Sequence, residues 1–314
     1  MFPRYCFAMR MFSSAAPQKV AFFGLGNMGL PMARNLKKNG FEVTGYDVSE
    51  HAIKVAREAG LEVADSTANA AAGKDFIVTS LPTTKHVEDT LMKDGGIFKS
   101  AKKGTVICDV STINPHASAN FAKEAAKHEM VFMDTPMSGG IVGAQNATLT
   151  FMVGGSVENF EKARPLLLGM GKNLFHCGGP GTGEIAKLTN NLILGISMVA
   201  TAEGMAIGEK LGIDPKILKD ILSVSTARNW CIDTYNPRPG NIPGTPASRN
   251  YEGGFMVELI RKDLALALES CSASGAKTDM TEKALDYYRT LEKKGAGRKD
   301  FGIVYQYYMK GYEL

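Results

Sequence analysis

The chain lacks the cysteine and histidine patterns that hold metal ions or build disulfide frameworks. It has 5 cysteines in 314 residues, and no two of them form a Cys-x-x-Cys pair. Its 5 histidines show no spacing typical of metal ligands. We therefore predict neither a disulfide scaffold nor a metal site.

Strong net charge and membrane-length apolar runs are also absent. The net charge is +4, and the lysines and arginines form no dense cluster, which argues against nucleic acid as a partner. The uncharged apolar run over residues 192–202 is only about half as long as a membrane span, and it begins beside Asn190 and Asn191. We interpret this run as part of a buried helix and expect no membrane partner.

Acidic residues are missing from the start of the chain, where the first one is Glu42. Residues 1–18 carry arginine and serine but no acid, a composition typical of mitochondrial transit peptides. Residues 10–13, Arg-Met-Phe-Ser, also resemble a matrix-protease cleavage motif. We predict that residues 1–18 direct the protein to the mitochondrial matrix; the alternative is a short tail without a targeting role.

A glycine-rich segment connects the first predicted strand to the first predicted helix. The strand is the apolar run Val20–Phe23, and the segment Gly24–Gly29 (GLGNMG) follows it directly. A second predicted strand, Glu42–Tyr46, ends at Asp47, which lies 18 residues after Gly29. This strand, glycine turn, helix and acid form the pattern expected of a dinucleotide site.

Each part of this pattern has a physical role in holding a dinucleotide. Gly24 permits the tight turn, Gly26 lets the backbone approach the pyrophosphate, and Gly29 lets the helix pack closely on the strand. The free N–H groups of the helix start attract the phosphates. Asp47 can accept hydrogen bonds from ribose hydroxyls and would repel a 2′-phosphate. We therefore expect NAD as the cofactor, in preference to NADP.

Strands and helices continue to alternate up to about residue 180, which predicts a mainly parallel sheet. The further strands predicted are Phe76–Thr79, Thr105–Cys108, Val131–Met133 and Leu149–Gly155, and the helices are residues 84–93, 115–128 and 160–168. Ligands of such sheets bind at the carboxyl ends of the strands. Leu81, Pro82 and Thr112 follow two of these ends, so we expect them beside the cofactor; the alternative is ordinary loop and cap chemistry.

The segment Ser138–Gly140 follows the strand that ends near Asp134. It offers one hydroxyl and successive backbone N–H groups, a combination suited to binding a carboxylate. The alternative is a tight turn without a ligand.

Strand signals nearly vanish after Thr182, and the pattern becomes helical. Residues 183–211 are predicted to form one helix, followed by helices over residues 214–224, 257–273 and 279–293. We predict an NAD-binding Rossmann-type domain over residues 19–181 and an all-α C-terminal domain over residues 182–314. Because so long a helix is hard to bury within one small domain, we expect a homodimer or a higher homo-oligomer. The Pro- and Gly-rich segment Tyr235–Gly254 is predicted to be a surface excursion or a partner contact.

The stretch Gly178–Asn191 joins the two predicted domains and carries two polar residues in the long helix. Lys187 and Asn191 are four residues apart, so their side chains project from one helix face with roughly 5–6 Å between the Cβ atoms. A lysine and an amide in this arrangement could both contact the same small ligand. The alternative is a solvated pair.

Four segments together resemble the β-hydroxyacid dehydrogenase family. Gly24–Leu36 looks like its cofactor signature, Asp134–Gly140 like its substrate motif and Gly181–Asn191 like its catalytic motif. Lys262-Asp263 looks like its late cofactor motif. The segment Tyr235–Phe255, with the leader, is similar to members that act on 3-hydroxyisobutyrate in valine breakdown.

The resemblance implies NAD-dependent oxidation of 3-hydroxyisobutyrate to methylmalonate semialdehyde, with Lys187 as general base and Asn191 orienting the hydroxyl. It also implies an all-α domain that packs between subunits. The cofactor residues would be Gly24, Leu25, Gly26, Asn27, Met28, Gly29, Asp47, Leu81, Pro82, Thr112 and Lys262. The substrate residues would be Ser138, Gly139, Gly140, Lys187 and Asn191.

Two other functions stay open on the sequence. One is an NADPH-dependent reductase of the same family that acts on succinic semialdehyde or glyoxylate; Asp47 argues against it. The other is a non-catalytic dinucleotide-binding module, against which the presence of Lys187 and Asn191 argues. The chain departs from the family pattern at Ala147, where a glycine is usual, and at His86, where asparagine is often found.

Overall fold

The structure is a computed structural model that describes residues 16–272 and 274–311. Residues 1–15 of the predicted transit peptide lie outside this part of the chain, so that prediction is untested.

The N-terminal part is built on one sheet, which has nine strands among the described residues. The strands are β1 (Lys19–Phe23), β2 (Glu42–Tyr46), β3 (Glu62–Val63), β4 (Phe76–Thr79), β5 (Val106–Asp109), β6 (Val131–Asp134), β7 (Met137–Ser138), β8 (Leu149–Gly154) and β9 (Gly171–Gly178).

Six parallel strands set the position of the ligand site. Their order is β3-β2-β1-β4-β5-β6, and it reverses direction between β1 and β4. In such sheets a crevice opens at the carboxyl ends of the strands where the order reverses. The Rossmann-type fold expected from the sequence is confirmed. Beyond β6 the sheet turns antiparallel, since β8 pairs with β6 and β7, and β9 lies parallel to β8.

Helices cover both faces of this sheet. They are α1 (Gly29–Lys38), α2 (Glu50–Glu58), α3 (Thr67–Ala71), α4 (Thr84–Met92), α5 (Ile97–Ser100), α6 (Pro115–Lys127), α7 (Gly140–Gln145) and α8 (Val157–Leu168). Neighbouring side chains of β1 point to opposite faces, as the period of two in a strand requires. Phe22 packs with Met32 of α1 in one core, and Phe23 packs with Leu91 of α4 in the other.

The C-terminal part is helical, as predicted. Its helices are α9 (Thr182–Lys210), α10 (Pro215–Val224), α11 (Trp230–Asp233), α12 (Val257–Cys271), α13 (Asp279–Leu291) and α14 (Val304–Lys310). A third core, centred on the fully buried Tyr288 and Phe301, joins α9 to α12, α13 and α14.

The helix α9 is long and apolar enough to cross a bilayer by length and composition alone. In this structure, however, it packs against β8, α12, α13 and α14, and buried residues such as Met198 and Met205 line its core side. We interpret it as the central helix of a globular domain, in agreement with the expectation from the sequence.

Two local features differ from the sequence prediction. β9 was not predicted, because its polar, exposed residues Lys172 and Asn173 hide the strand pattern. The segment Tyr235–Gly254 is no simple surface excursion, since Tyr251 is buried and donates a hydrogen bond of 2.8 Å to the carbonyl oxygen of Pro237. Its Arg238 forms an ion pair of 3.0 Å with Glu209 of α9, which ties the segment to the helical core.

Candidate active site

The turn between β1 and α1 can be made only by glycine at two positions. Gly24 has a φ of +91°, and a Cβ there would lie 2.2 Å from the carbonyl oxygen of Ser80. A Cβ on Gly29 would lie 1.8 Å from the carbonyl oxygen of Gly24. Gly26, in contrast, faces open space, so a ligand can approach its backbone directly.

The start of α1 is free to receive an anion. Asn27 and Met28 form the turn before the helix, which has no side-chain cap and no acidic residue in its first turn. Pro31 has no N–H and the N–H of Leu30 is already hydrogen-bonded at 3.1 Å, so the N–H of Gly29 and the positive end of the helix dipole remain available for phosphate.

Asp47 stands at the carboxyl end of β2, beside this turn. Its carboxylate accepts hydrogen bonds from the backbone N–H groups of Leu25 at 2.6 Å and Ser49 at 2.8 Å. These two bonds fix the carboxylate in place and leave further lone pairs for ribose hydroxyls. A cavity of about 700 Å³ extends from Asp47 along α2. Four acidic and two basic residues line it, so it has no excess of positive charge for a 2′-phosphate: Asp47, Glu50, Glu58, Asp65, Lys54 and Arg57.

Lys262 reaches from α12 to the loops that follow β4 and β5. Its ammonium donates to the carbonyl oxygens of Thr112 at 2.7 Å and Pro82 at 3.4 Å. The two loops are joined directly, since the N–H of Leu81 donates to the hydroxyl of Ser111 at 2.8 Å. The structure thus brings together Leu81, Pro82, Thr112 and Lys262, and their contact with the cofactor stays a prediction. The sequence analysis did not identify Ser111 as a residue of this site.

The predicted substrate segment lies at the edge of the sheet beside β8, and β8 in turn packs against α9. Ser138 ends β7 and pairs with Thr150 of β8, while Gly139 and Gly140 are exposed and have φ angles of +135° and +61°. These angles favour glycine and turn the chain into α7. The neighbouring strand continues toward α9, where a Cβ on Gly183 would lie 2.4 Å from the carbonyl oxygen of Met152.

The first turn of α9 is held by a carboxylate from the sheet. Asp134, the last residue of β6, accepts hydrogen bonds from the backbone N–H groups of Gly181 at 2.8 Å and Glu184 at 3.0 Å. Burial raises the pKa of Asp134, and these N–H groups oppose the shift. The helix has no side-chain cap from its own N-cap residue, Gly181.

Lys187 lies one turn further along α9. Desolvation by the surrounding protein lowers its pKa; Asp263 and Glu184 oppose this shift, and the positive charge of Lys262 adds to it. A lysine whose pKa is lowered loses its proton more readily and can act as a base.

Asn191 is almost fully buried and is oriented by two neighbours. Its amide group donates to the carboxylate of Asp263 at 2.6 Å, and its carbonyl oxygen accepts from the side-chain amide of Asn190 at 3.0 Å. One N–H of the amide group remains for a ligand. Asp263 also lies 3.4 Å from the ammonium of Lys262.

Two buried acids beside the site were missed by the sequence reasoning, since nothing local marks them as buried. Asp109 ends β5 and Glu184 lies in the first turn of α9, and both are fully buried. Burial raises the pKa of Asp109 to about 6 and that of Glu184 well above its ordinary value; for Glu184, the charges of Asp109 and Asp134 add to the shift.

The two departures from the family pattern have simple local structures. Ala147 follows α7 with a φ of +52°, a conformation that favours glycine. His86 is exposed in the first turn of α4, and its Nδ1 lies 2.7 Å from the hydroxyl of Thr83. Within residues 16–272 and 274–311, no group of three or more His, Cys, Asp or Glu side chains is arranged to hold a metal ion.

Two protein-family models match the chain. Residues 19–179 match the NAD binding domain of 6-phosphogluconate dehydrogenase. Residues 181–308 match a domain described as NAD-binding of NADP-dependent 3-hydroxyisobutyrate dehydrogenase.

Individual proteins are similar over most of the chain. The mitochondrial 3-hydroxyisobutyrate dehydrogenase of Mus musculus is 45% identical, over 94% of this chain and 88% of the mouse protein. An NAD-dependent L-serine dehydrogenase of Pseudomonas aeruginosa is 42% identical, over 91% of this chain and 96% of that protein. The solved structure of Mycobacterium tuberculosis 3-hydroxyisobutyrate dehydrogenase with L-serine has a TM-score of 0.88 and 36% identity, and the match covers 92% of this chain and 98% of that one.

Proposed function

We propose that this chain, which belongs to the β-hydroxyacid dehydrogenase family, oxidises 3-hydroxyisobutyrate to methylmalonate semialdehyde in valine catabolism. The chain is an NAD-dependent dehydrogenase. The observation that carries the catalytic part of the proposal is the position of Lys187, and the substrate is proposed from the similarity to the mouse enzyme. Lys187 lies one turn beyond the start of α9, which Asp134 attaches to the strand leading into Ser138–Gly140.

Ser138, Gly139 and Gly140 are proposed to bind the substrate carboxylate. The hydroxyl and the N–H groups of this exposed turn are donors, and donors to an ionised carboxylate form short, strong hydrogen bonds. Holding the carboxylate there fixes the β-carbon and its hydroxyl, so positioning contributes part of the rate.

Lys187 is proposed to remove the hydroxyl proton in its neutral form, which its lowered pKa favours. Asn191 is proposed to hold the hydroxyl oxygen through the amide hydrogen that Asp263 leaves free. When bound, NAD would accept the hydride from the carbon that bears this hydroxyl, so that the C–O bond becomes a carbonyl. In the reverse direction Lys187 returns the proton and Asn191 polarises the carbonyl.

The residues around the β1–α1 turn fit NAD. We propose that Gly24–Gly29 and the start of α1 bind the diphosphate, while Asp47 binds the ribose. Leu81, Pro82, Thr112 and Lys262 would border the nicotinamide half, at the strand ends where the sheet order reverses. The carboxylate of Asp47 and the acidic lining of the neighbouring cavity argue against an NADPH-dependent semialdehyde reductase.

Oxidation of L-serine is a second candidate, because one relative is an L-serine dehydrogenase and one similar structure contains L-serine. L-Serine has an ammonium group where 3-hydroxyisobutyrate has a methyl group. An ammonium needs hydrogen-bond acceptors and a methyl group needs apolar neighbours, so the two substrates differ at one position and a direct comparison of rates separates the candidates.

A substrate panel tests the proposal. The purified protein is given 3-hydroxyisobutyrate, L-serine or 4-hydroxybutyrate with NAD or NADP, and NADH or NADPH formation is followed by absorbance. We expect the highest kcat/KM with 3-hydroxyisobutyrate and NAD. A higher kcat/KM with L-serine would make the second candidate correct, and a preference for NADP would refute the role of Asp47.

Localisation and assembly are further parts of the proposal. The mitochondrial name of the mouse relative and the acid-free leader support a mitochondrial location, and we propose the matrix. Exposed isoleucines on α9 and α10, including Ile193, Ile207 and Ile217, support a homo-oligomer that covers them. We also propose that the NAD-binding domain ends at residue 181 and the all-α domain begins at residue 182.

A further inference from the structure

Asp134 is the only side chain of the described residues shown capping the long helix α9, and it comes from another part of the fold. Its two acceptor bonds reach Gly181 and Glu184, 47 and 50 residues further along the chain. The side chain is fully buried, so these bonds are not weakened by competition with water.

Glycines surround this carboxylate, because a side chain at their positions would collide with it. A Cβ on Gly154 would lie 2.4 Å from one oxygen of Asp134, and a Cβ on Gly183 would lie 2.8 Å from the other. Gly181 has a φ of +90°, and a Cβ there would lie 2.7 Å from the carbonyl oxygen of Pro115. The junction between β6 and α9 is therefore tightly defined.

The same aspartate stands between the two halves of the proposed site. Ser138, in the segment proposed to hold the substrate carboxylate, follows Asp134 by four residues. The N–H of Glu184 donates to Asp134, and Lys187 lies three residues after Glu184 on the helix. Any movement of α9 away from Asp134 would therefore change the distance between the carboxylate anchor and the base.

We propose that Asp134 is a positioning residue, whose carboxylate fixes the helix carrying Lys187 relative to the segment Ser138–Gly140. The inference rests on the proposed function for the roles of Lys187 and Ser138. Asp134 itself is buried beneath the start of α9 and is not proposed to touch substrate or cofactor. Its effect on the reaction passes through the backbone of α9.

The test is Asp134→Asn in the full chain. Asparagine has nearly the same shape, but its amide group would place a donor against one of the two N–H groups, so α9 would shift or loosen at its start. We expect kcat/KM for 3-hydroxyisobutyrate to fall by roughly 10- to 100-fold. We expect the affinity for NAD, measured by titration calorimetry, to change by less than about threefold, because the β1–α1 turn is unaltered.

Two readouts separate positioning from a general loss of stability. Amide hydrogen exchange at Gly181 and Glu184 should become faster in Asp134→Asn, while exchange in β1 stays unchanged. The methyl ester of 3-hydroxyisobutyrate has no negative charge and makes only weaker, neutral hydrogen bonds to the anchor, so with this substrate the variant should lose less than about threefold in kcat/KM. The proposal would be overturned if kcat/KM fell equally for the acid and the ester, or if amide exchange at both Gly181 and Glu184 stayed unchanged.

The matched control is Asp214→Asn, which changes an aspartate cap on α10. Asp214 accepts from the backbone N–H groups of Lys216 and Ile217 at 2.8 and 3.1 Å. We expect this variant to keep kcat within about twofold. If Asp134→Asn does not fold, Gly183→Ala displaces the start of α9 from Asp134 and from the carbonyl oxygen of Met152 with the carboxylate itself intact, and the same acid-to-ester comparison applies.

Failure of the proposed function gives a different result. If the unmodified chain is inactive with 3-hydroxyisobutyrate but active with L-serine, the substrate is wrong. The comparison is then made with L-serine and its methyl ester.

Discussion

Asn191 of α9 donates a hydrogen bond of 2.6 Å to Asp263 of α12, 72 residues away in the sequence, and both side chains are buried. The bond joins the helix that carries Lys187 to the helix that carries Lys262. It also fixes the orientation of the Asn191 amide group, so that the second amide hydrogen points in one defined direction.

We predict that Asn191→Ala lowers both stability and turnover. The buried carboxylate of Asp263 would lose its donor, which costs about 1–3 kcal/mol in the free energy of unfolding. Urea unfolding measures this cost, and steady-state kinetics measures the loss of kcat. Asn190→Ala is the control, because Asn190 is exposed and its loss leaves the bond to Asp263 intact. Equal destabilisation in the two variants would contradict the prediction.

We predict that Lys187→Ala lowers kcat by about 10²- to 10⁴-fold, the contribution usual for a general base. NAD affinity, measured by titration calorimetry, should remain, because Lys187 is not among the residues proposed to bind the cofactor. Lys187→Arg should be equally inactive, since arginine keeps the charge but does not lose its proton. Substantial activity in the arginine variant would show that the positive charge matters and that proton removal does not depend on Lys187.

We predict that Asp47→Asn reduces the preference for NAD over NADP by about tenfold or more, because it removes the negative charge that repels a 2′-phosphate. The asparagine oxygen can still accept from the N–H of Leu25, but the N–H of Ser49 loses its acceptor, so the binding of both cofactors should weaken to a similar extent. The ratio of kcat/KM for the two cofactors measures the effect. Glu50→Gln removes an equal charge from the same cavity wall and should leave that ratio nearly unchanged.

We predict that Glu184→Gln increases stability at high pH only. Because its pKa is raised in the folded state, Glu184 contributes stability that is present below its unfolded pKa of about 4.3 and lost as the pH rises toward the folded value. The variant should therefore match the unmodified chain near about pH 4 and exceed it near about pH 8. Thermal unfolding at both pH values measures this difference. Glu203→Gln, at an exposed position of α9, controls for the loss of one formal charge.

We predict that Ala147→Gly stabilises the fold by up to about 1 kcal/mol, because glycine adopts the φ of +52° without strain. Ala126→Gly, at an exposed position in α6, should have the opposite sign. Urea unfolding of the two variants provides the comparison. A destabilised Ala147→Gly variant would show that the alanine is not strained at this turn.

The sequence was sufficient for the parts of the fold that depend on neighbouring residues. The glycine turn before α1, the acid after β2 and the long helix α9 all have local patterns, and the structure contains each of them. The strand β9 was missed because its exposed polar residues show no apolar alternation.

The buried polar contacts of the site could not be predicted in this way. Asp134 to Gly181, Lys262 to Thr112 and Asn191 to Asp263 join residues that are 47, 150 and 72 positions apart. Nothing near any one of these residues indicates which distant group it will meet.

The sequence by itself therefore determined the class of fold, the cofactor turn and the residues capable of chemistry, because these follow from the short-range periods of helices and strands. Only the tertiary structure decided which of those residues are in contact and in which direction their pKa values shift. Burial and contact between distant segments set the pKa of Lys187 and of Glu184, and both arise only when the sheet and the helices pack together.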